Sequence, residues 1–133
     1  ADVIWVSNHG GRQLDYGLGT MDMLPEIVEI VDKKAKIVID GGVQRGSDIA
    51  KAIALGADSV AIGKMQCWGL AAGGEAGLIR TLEILEDEYV SALGFLGATS
   101  TNQLNSNHVC KSDPVTNPHE MSTWVNMPKD RLT

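Results

Sequence analysis

The chain has 133 residues, 44% of them hydrophobic and 21% charged, which is enough apolar material for the core of one domain and too little charge for a disordered polyelectrolyte. A formal net charge of −6, with no block of Lys or Arg, excludes the basic face that a phosphate backbone requires, so no nucleic-acid partner is expected. The apolar runs fall far short of the roughly 20 residues of a membrane helix, and Cys67 and Cys110, without Cys-x-x-Cys spacing, indicate neither a disulfide framework nor a metal site, leaving a reduced, cytoplasmic setting as the default expectation.

The sequence starts inside an apolar strand pattern, without Met or leader features, and reads as a piece of a longer chain. Val3-Ile4-Trp5-Val6 is a continuous apolar run, the pattern of a parallel strand buried on both faces, and polar residues arrive only at its C-terminal end. After Gly17 and Gly19, Thr20 or Asp22 can cap a helix whose Leu24, Ile27, Val28 and Val31 share one face, with Pro25 tolerable near the first turn. Lys36 to Asp40 repeats the buried-strand pattern. Ser47 is the expected cap of a second helix carrying Ile49, Ala52, Ile53 and Leu55, and Gly56 suits its stop. Asp58 to Ile62 is a third strand. Gly63 to Gly74 is rich in small residues, and Leu78, Leu82, Leu85 and Tyr89 mark a longer amphipathic helix whose acidic Glu83, Glu86, Asp87 and Glu88 form a solvated face. Alternating strands and helices predict an α/β fold with parallel pairing and right-handed crossovers. After Gly97 the apolar periodicity ends and Asn, Ser, Thr and Pro accumulate, so residues 98–133 read as a surface tail on which Trp124 and Met127 could dock. Three strands leave open edges and cannot close a barrel, so further strands are expected from elsewhere.

Two strand endings carry the chemistry. Val6-Ser7-Asn8-His9-Gly10-Gly11-Arg12-Gln13-Leu14-Asp15 sets an imidazole and a guanidinium three residues apart, and Ile39-Asp40-Gly41-Gly42-Val43-Gln44 ends the next strand in paired glycines. An imidazole titrates near working pH and is a natural general base, although a His capping a strand end and bonding to backbone is the plainer use. Arg12 offers a planar fork matched to a carboxylate, or else forms a solvated ion pair with a neighbour such as Asp15. Glycines let backbone amides approach an anion. Cys67 and Trp68 are expected to pack in a wall, and His108 and His119 lie in the polar tail without ligand spacing, so no metal is expected.

VSNHGGRQLD at 6–15, DGGVQRG at 40–46, ALGADSVAIGK at 54–64 and LGFLGATSTNQLNSNHV at 93–109 resemble the FMN-dependent 2-hydroxy-acid oxidase and dehydrogenase family. The resemblance implies the sixth to eighth strand units of a TIM (β/α)8 barrel over residues 1–97, with the site at the C-terminal strand ends. It implies FMN as cofactor and oxidation of a small (S)-2-hydroxy acid to the 2-oxo acid, with oxygen, a quinone or a cytochrome as electron acceptor. His9 takes the role of base, Arg12 that of substrate-carboxylate ligand, and Asp40, Gly41, Gly42, Val43, Gln44, Gly63 and Lys64 those of cofactor ligands. Relatives form homo-oligomers, which is expected of the full-length protein too, and some associate with membranes. The family's remaining site residues, an Asp partner for the base, a Lys, a second Arg and a Tyr, are expected on earlier strands, so residues 1–133 alone are expected to be inactive. The sequence departs from the family where Gln44 replaces a common Arg, Lys64 replaces the Arg after the Gly, and Met65 replaces Pro; Arg45 either compensates or faces solvent at a helix start. The alternatives are a flavin- or phosphate-binding barrel isomerase, which needs no His9 and Arg12 pair, and an inactive truncated barrel that only stacks with other segments.

Overall fold

A computed structural model describes residues 1–14 and 16–112. Strand β1 (Val3–Val6), helix α1 (Thr20–Val31), strand β2 (Lys36–Ile39), helix α2 (Gly46–Ala54), strand β3 (Ser59–Val60) and helix α3 (Lys64–Phe95) follow in chain order. The strands form one parallel sheet ordered β1-β2-β3, with Trp5 opposite Val38 and Ile39 opposite Val60. This is the α/β architecture that the alternation of patterns predicts. The strands are shorter than the apolar runs, because pairing stops where Asp40 and Ala61 turn into loops, each after one last ladder bond to the neighbouring strand.

Side chains alternate along the strands, and one face is covered by helices. Val6, Leu24, Ile37, Ile39, Ala52 and Ala57 are buried together between the sheet and α1 and α2, flanked by Ile4, Ile27, Val28 and Val31. Val3 and Trp5, on the other face of β1, are 50% and 61% exposed among the described residues. β1 is an edge strand here, and the helix layer lies on one face only.

The helix boundaries correct several details. Gly19, not Thr20 or Asp22, occupies the N-cap of α1, and the Thr20 hydroxyl is used elsewhere, donating to the Asp40 carbonyl at 2.5 Å. Pro25 is the sixth residue of α1 rather than part of its first turn. The α2 cap is Arg45, with Ser47 already inside the helix; the Asp48 carboxylate reaches back to accept from the Gln44 and Arg45 amides at 3.2 and 3.1 Å. Gly56 follows α2 with φ of +109°, a conformation that favours glycine. Lys64–Ala72, a stretch whose small residues gave no helical pattern, is the first arm of α3, and non-helical Gly73 and Gly74 break it from the second.

Glu88 is not simply part of a solvated face. Its carboxylate accepts from the Gly46 amide at 2.9 Å and from Arg45 Nη1 at 2.8 Å, so α3 closes the N-terminus of α2. The Gly46 hydrogen bond first, and Arg45 second, hold the Glu88 carboxyl below the usual carboxylate range. At the opposite end of the sheet the Lys36 ammonium, 2.7 Å away, and then the Ile37 amide lower Asp58 in the same way.

Residues 98–109 pack against the body rather than standing off as a tail. Ala98 and Leu104 are buried with Ala50 and Ala54 of α2, and Val109 packs alongside Tyr89 and Leu93. The short turns hold because side chains satisfy their amides: Gln103 Oε1 accepts from Thr99 N, and His108 Nδ1 accepts from Asn105 N. His119, Trp124 and Met127 lie outside the described residues.

Candidate functional site

The C-terminal ends of the three strands open onto a cavity of about 340 Å3. Ser7, His9, Gly10 and Arg12 line it from the loop after β1, residues 40–44 from the loop after β2, and Ala61, Gly63, Lys64, Met65, Cys67 and Trp68 from the end of β3 and the start of α3. Every residue singled out in the sequence as a site candidate lies on this one wall: His9, Arg12, Asp40, Gly41, Gly42, Val43, Gln44, Gly63 and Lys64.

The first loop is a left-handed turn, with φ of 55°, 65° and 72° at His9, Gly10 and Gly11. Glycine adopts this freely, whereas His9 does so at a cost of about 1 kcal/mol. The turn is held by the His9 amide donating to Ser7 Oγ at 3.1 Å and the Gly11 amide donating to the Asn8 carbonyl at 3.0 Å. The strain projects His9 and Arg12 from a rigid strand end, and neither side chain hydrogen-bonds to another described residue, so both are available to a ligand. Asp15, the suggested ion-pair partner of Arg12, lies outside the described residues.

The second loop is anchored from below. Asp40 donates its amide to the Val6 carbonyl at 3.1 Å and accepts the Thr20 hydroxyl at its own carbonyl. Gly41 has φ of +96°, and a Cβ there would come 3.0 Å from Thr20 Oγ1, so backbone conformation and space both favour glycine. Asn8 braces the same corner: its Nδ2 donates to the Leu18 carbonyl at 3.2 Å, and its buried Oδ1 lacks a partner among the described residues. Gly42, at φ of +74°, faces open space. The amides of Gly41, Gly42 and Val43, and that of Gly63, make no hydrogen bond with described residues.

The third element brings charge. Lys64 opens α3, whose first amides have no intrahelical acceptor. Its ammonium stands beside the first loop, 3.7 Å from the place a Gly10 Cβ would take. Gln44 lines the wall, whereas Arg45 turns away to Glu88.

Donors and acceptors are thus arranged along the wall in a definite order. The Asp40 carboxylate can accept from hydroxyls, and the free amides of 41–43 and 63, with the Lys64 ammonium, can donate to an anion. This set fits the polyol and phosphate of FMN.

Cys67 and Trp68, expected to pack in a wall, both line the cavity, Cys67 exposed and Trp68 half-buried. Ser7 and Met65 are pocket residues the sequence reading missed. Ser7 was detectable as the first polar residue after β1, but Met65, Cys67 and Trp68 could not be placed without recognising the first arm of α3. Among the described residues no group of three or more His, Cys, Asp or Glu side chains could hold a metal ion, and no helix is long and apolar enough to cross a membrane.

A parallel α/β layer that gathers a His, an Arg, paired glycines and a Lys at its strand C-termini has the plan of an α/β cofactor-binding protein. The chain belongs to the FMN-dependent dehydrogenase family, whose family model matches residues 1–111. It is 45% identical over 106 residues to an L-lactate oxidase of Nostoc sp., covering 80% of this chain and 29% of that protein. It is 46% identical over 111 residues to 2-hydroxyacid oxidase 1 of Mus musculus, covering 84% and 30%. Among solved structures it resembles mandelate oxidase with benzoyl-formic acid, with a TM-score of 0.75 at 44% identity over 77% of this chain and 30% of that one. A lactate oxidase of Pediococcus acidilactici gives a TM-score of 0.76 at 42% identity over 78% and 29%. The chain therefore spans about three-tenths of the length of the relatives it matches.

Proposed function

We propose that this chain supplies the last three strand units, the sixth to eighth, of a TIM barrel, and with them one wall of an FMN-dependent oxidase site for a small (S)-2-hydroxy acid. The observation that carries the reading is the convergence of His9 and Arg12 with the glycine loop and Lys64 on a single cavity at the strand C-termini. An isomerase that only grips a phosphate has no use for an unpaired imidazole and an unpaired guanidinium on one turn.

Bound FMN supplies the acceptor for the two electrons that leave the substrate. Arg12 grips the substrate carboxylate with two parallel N–H donors, which orients the adjacent carbon as well as binding the acid. His9 takes the proton released as the alcohol becomes a carbonyl and holds it as imidazolium. The left-handed turn places both residues at one strand end, so that their side chains leave the backbone side by side. Asp40 binds the polyol hydroxyls, and the amides of 41–43 and 63 with Lys64 bind the phosphate. Oxygen is the proposed electron acceptor, on the strength of relatives named as oxidases.

The test is anaerobic mixing of the intact flavin-loaded protein with glycolate, lactate and mandelate. Bleaching of the oxidised flavin band by at least one of them, followed by recovery in air, is the expected result. No bleaching by any 2-hydroxy acid, with FMN demonstrably bound, would overturn the proposal.

A further inference from the structure

Trp5 lies on β1, on the sheet face away from α1 and α2, where its register sets its contacts. Trp5 stands opposite Val38, so its ring reaches along the same face to the diagonal neighbour two residues on, Asp40. There the indole Nε1 donates to Asp40 Oδ2 at 3.0 Å. With its amide given to Val6 and its carbonyl taken by Thr20, Asp40 is held at three points, and no donor among the described residues reaches its Oδ1. Indole carries a single N–H, already given to Oδ2, and so leaves Oδ1 to a ligand. Any apolar side chain would cover the strand as well as tryptophan does, but only tryptophan adds a rigid donor at this reach.

We infer that Trp5 is a positioning residue for the cofactor: its N–H fixes the Asp40 carboxylate in the rotamer that accepts from the polyol hydroxyls. The inference rests on the reading of Asp40 as a cofactor ligand. Preorganisation of this kind acts on affinity, because the unfixed carboxylate must be ordered each time the ligand binds.

The test is FMN affinity of the intact apoprotein, measured by quenching of flavin fluorescence, in a cycle of Trp5→Phe, Asp40→Asn and the double variant. Trp5→Phe keeps the ring and deletes the donor, and is expected to raise the FMN dissociation constant about three- to tenfold, the scale of one hydrogen bond to a charged group at a partly exposed position. In the Asp40→Asn background the same change is expected to have little further effect, because the partner it orients is no longer a carboxylate. If Trp5→Phe leaves affinity unchanged, or weakens it equally in both backgrounds, Trp5 only covers the strand and the inference fails. If Asp40→Asn itself leaves affinity unchanged, the failure lies in the reading of the site. Should Trp5→Phe not fold, 3-benzothienylalanine introduced at position 5 removes the N–H from a bicycle of the same shape and reads the same cycle.

Discussion

Gly46 sits where the helix layer and the ligand loops are joined, and Gly46→Ala separates packing from backbone conformation. A Cβ at this position would collide with the Tyr89 amide nitrogen and come within 2.5 Å of both the Glu88 carbonyl carbon and the Leu85 carbonyl oxygen. These are backbone atoms of α3, so no side-chain rotation relieves the overlap, and α2 and α3 must part. Overpacking that displaces backbone reaches about 3 kcal/mol, and helix propensity, which acts in helix interiors, returns less than about 1 kcal/mol at the first residue of α2. A net loss of roughly 2 kcal/mol or more is expected. Gly42→Ala is the control: φ of +74° strains an L-residue, but the Cβ meets nothing within 4 Å, so its cost is about 1 kcal/mol of backbone strain. The assay is urea denaturation of both variants beside the parent protein, with FMN affinity measured in parallel. Gly46→Ala is expected to lose the most stability. Gly42→Ala, whose methyl group stands on the cavity wall, is expected to lose affinity out of proportion to its stability. A Gly46→Ala protein within 0.5 kcal/mol of the parent, about the scatter of surface substitutions, would refute the close packing of α2 on α3.

Glu88→Gln is expected to lower stability by about 1 kcal/mol at neutral pH, since Gln keeps one acceptor but loses the charge-assisted bonds to Gly46 and Arg45. The folded carboxyl lies below its ordinary value of 4.5, so this stabilisation is present above that value and lost as pH falls through the depressed folded one; the difference between parent and variant in denaturation curves should shrink toward zero in acid. His9→Gln is expected to slow anaerobic flavin reduction by about 10² to 10⁴-fold while FMN affinity is unchanged, as removal of a general base requires. Arg12→Lys keeps the charge but loses the fork, and KM for the acid is expected to rise by about tenfold or more, checked by steady-state kinetics over a range of substrate concentrations. Gln44→Arg, by restoring a cation beside the free amides of 41–43, is expected to tighten FMN by about tenfold in fluorescence titration; an unchanged affinity would place the phosphate away from this loop.

The strand and helix order was legible because each element carries its own period, and buried β2 shows it best, with Ile37 and Ile39 fully covered. The site candidates were legible for a different reason: polar residues packed tightly after an apolar run can only lie at strand ends, and a parallel sheet puts all such ends on one side. What the sequence concealed is tertiary. The role of Glu88 depends on α3 passing over the start of α2, 42 residues away in sequence. The packing of 98–109 rests on two isolated apolar residues, Ala98 and Leu104, too few to make a period. The first arm of α3 was hidden by small residues that suit helix and loop alike, and Met65, Cys67 and Trp68 were hidden with it.

Hydrogen-bond accounting explains why the cavity wall can bind anything at all. A loop at a strand end must satisfy its backbone groups, and a loop that does so with its own side chains has none left for a ligand. Here much of that duty falls to residues outside the cavity. Thr20 takes the Asp40 carbonyl, Asp48 takes the Gln44 and Arg45 amides, and Glu88 takes the Gly46 amide and the Arg45 guanidinium. The groups facing the cavity are left without a partner among the described residues as a consequence: the amides of 41–43 and 63, the Lys64 ammonium, the His9 ring and the Arg12 fork. Glycine at 41 and 42 completes the division, since a side chain at either place would be strained, and one at 41 would press on Thr20. Thr20, Asp48 and Glu88 therefore shape the site without lining the cavity, and substitutions at them should alter cofactor affinity through loop geometry, whereas those at His9 or Arg12 should act on the substrate.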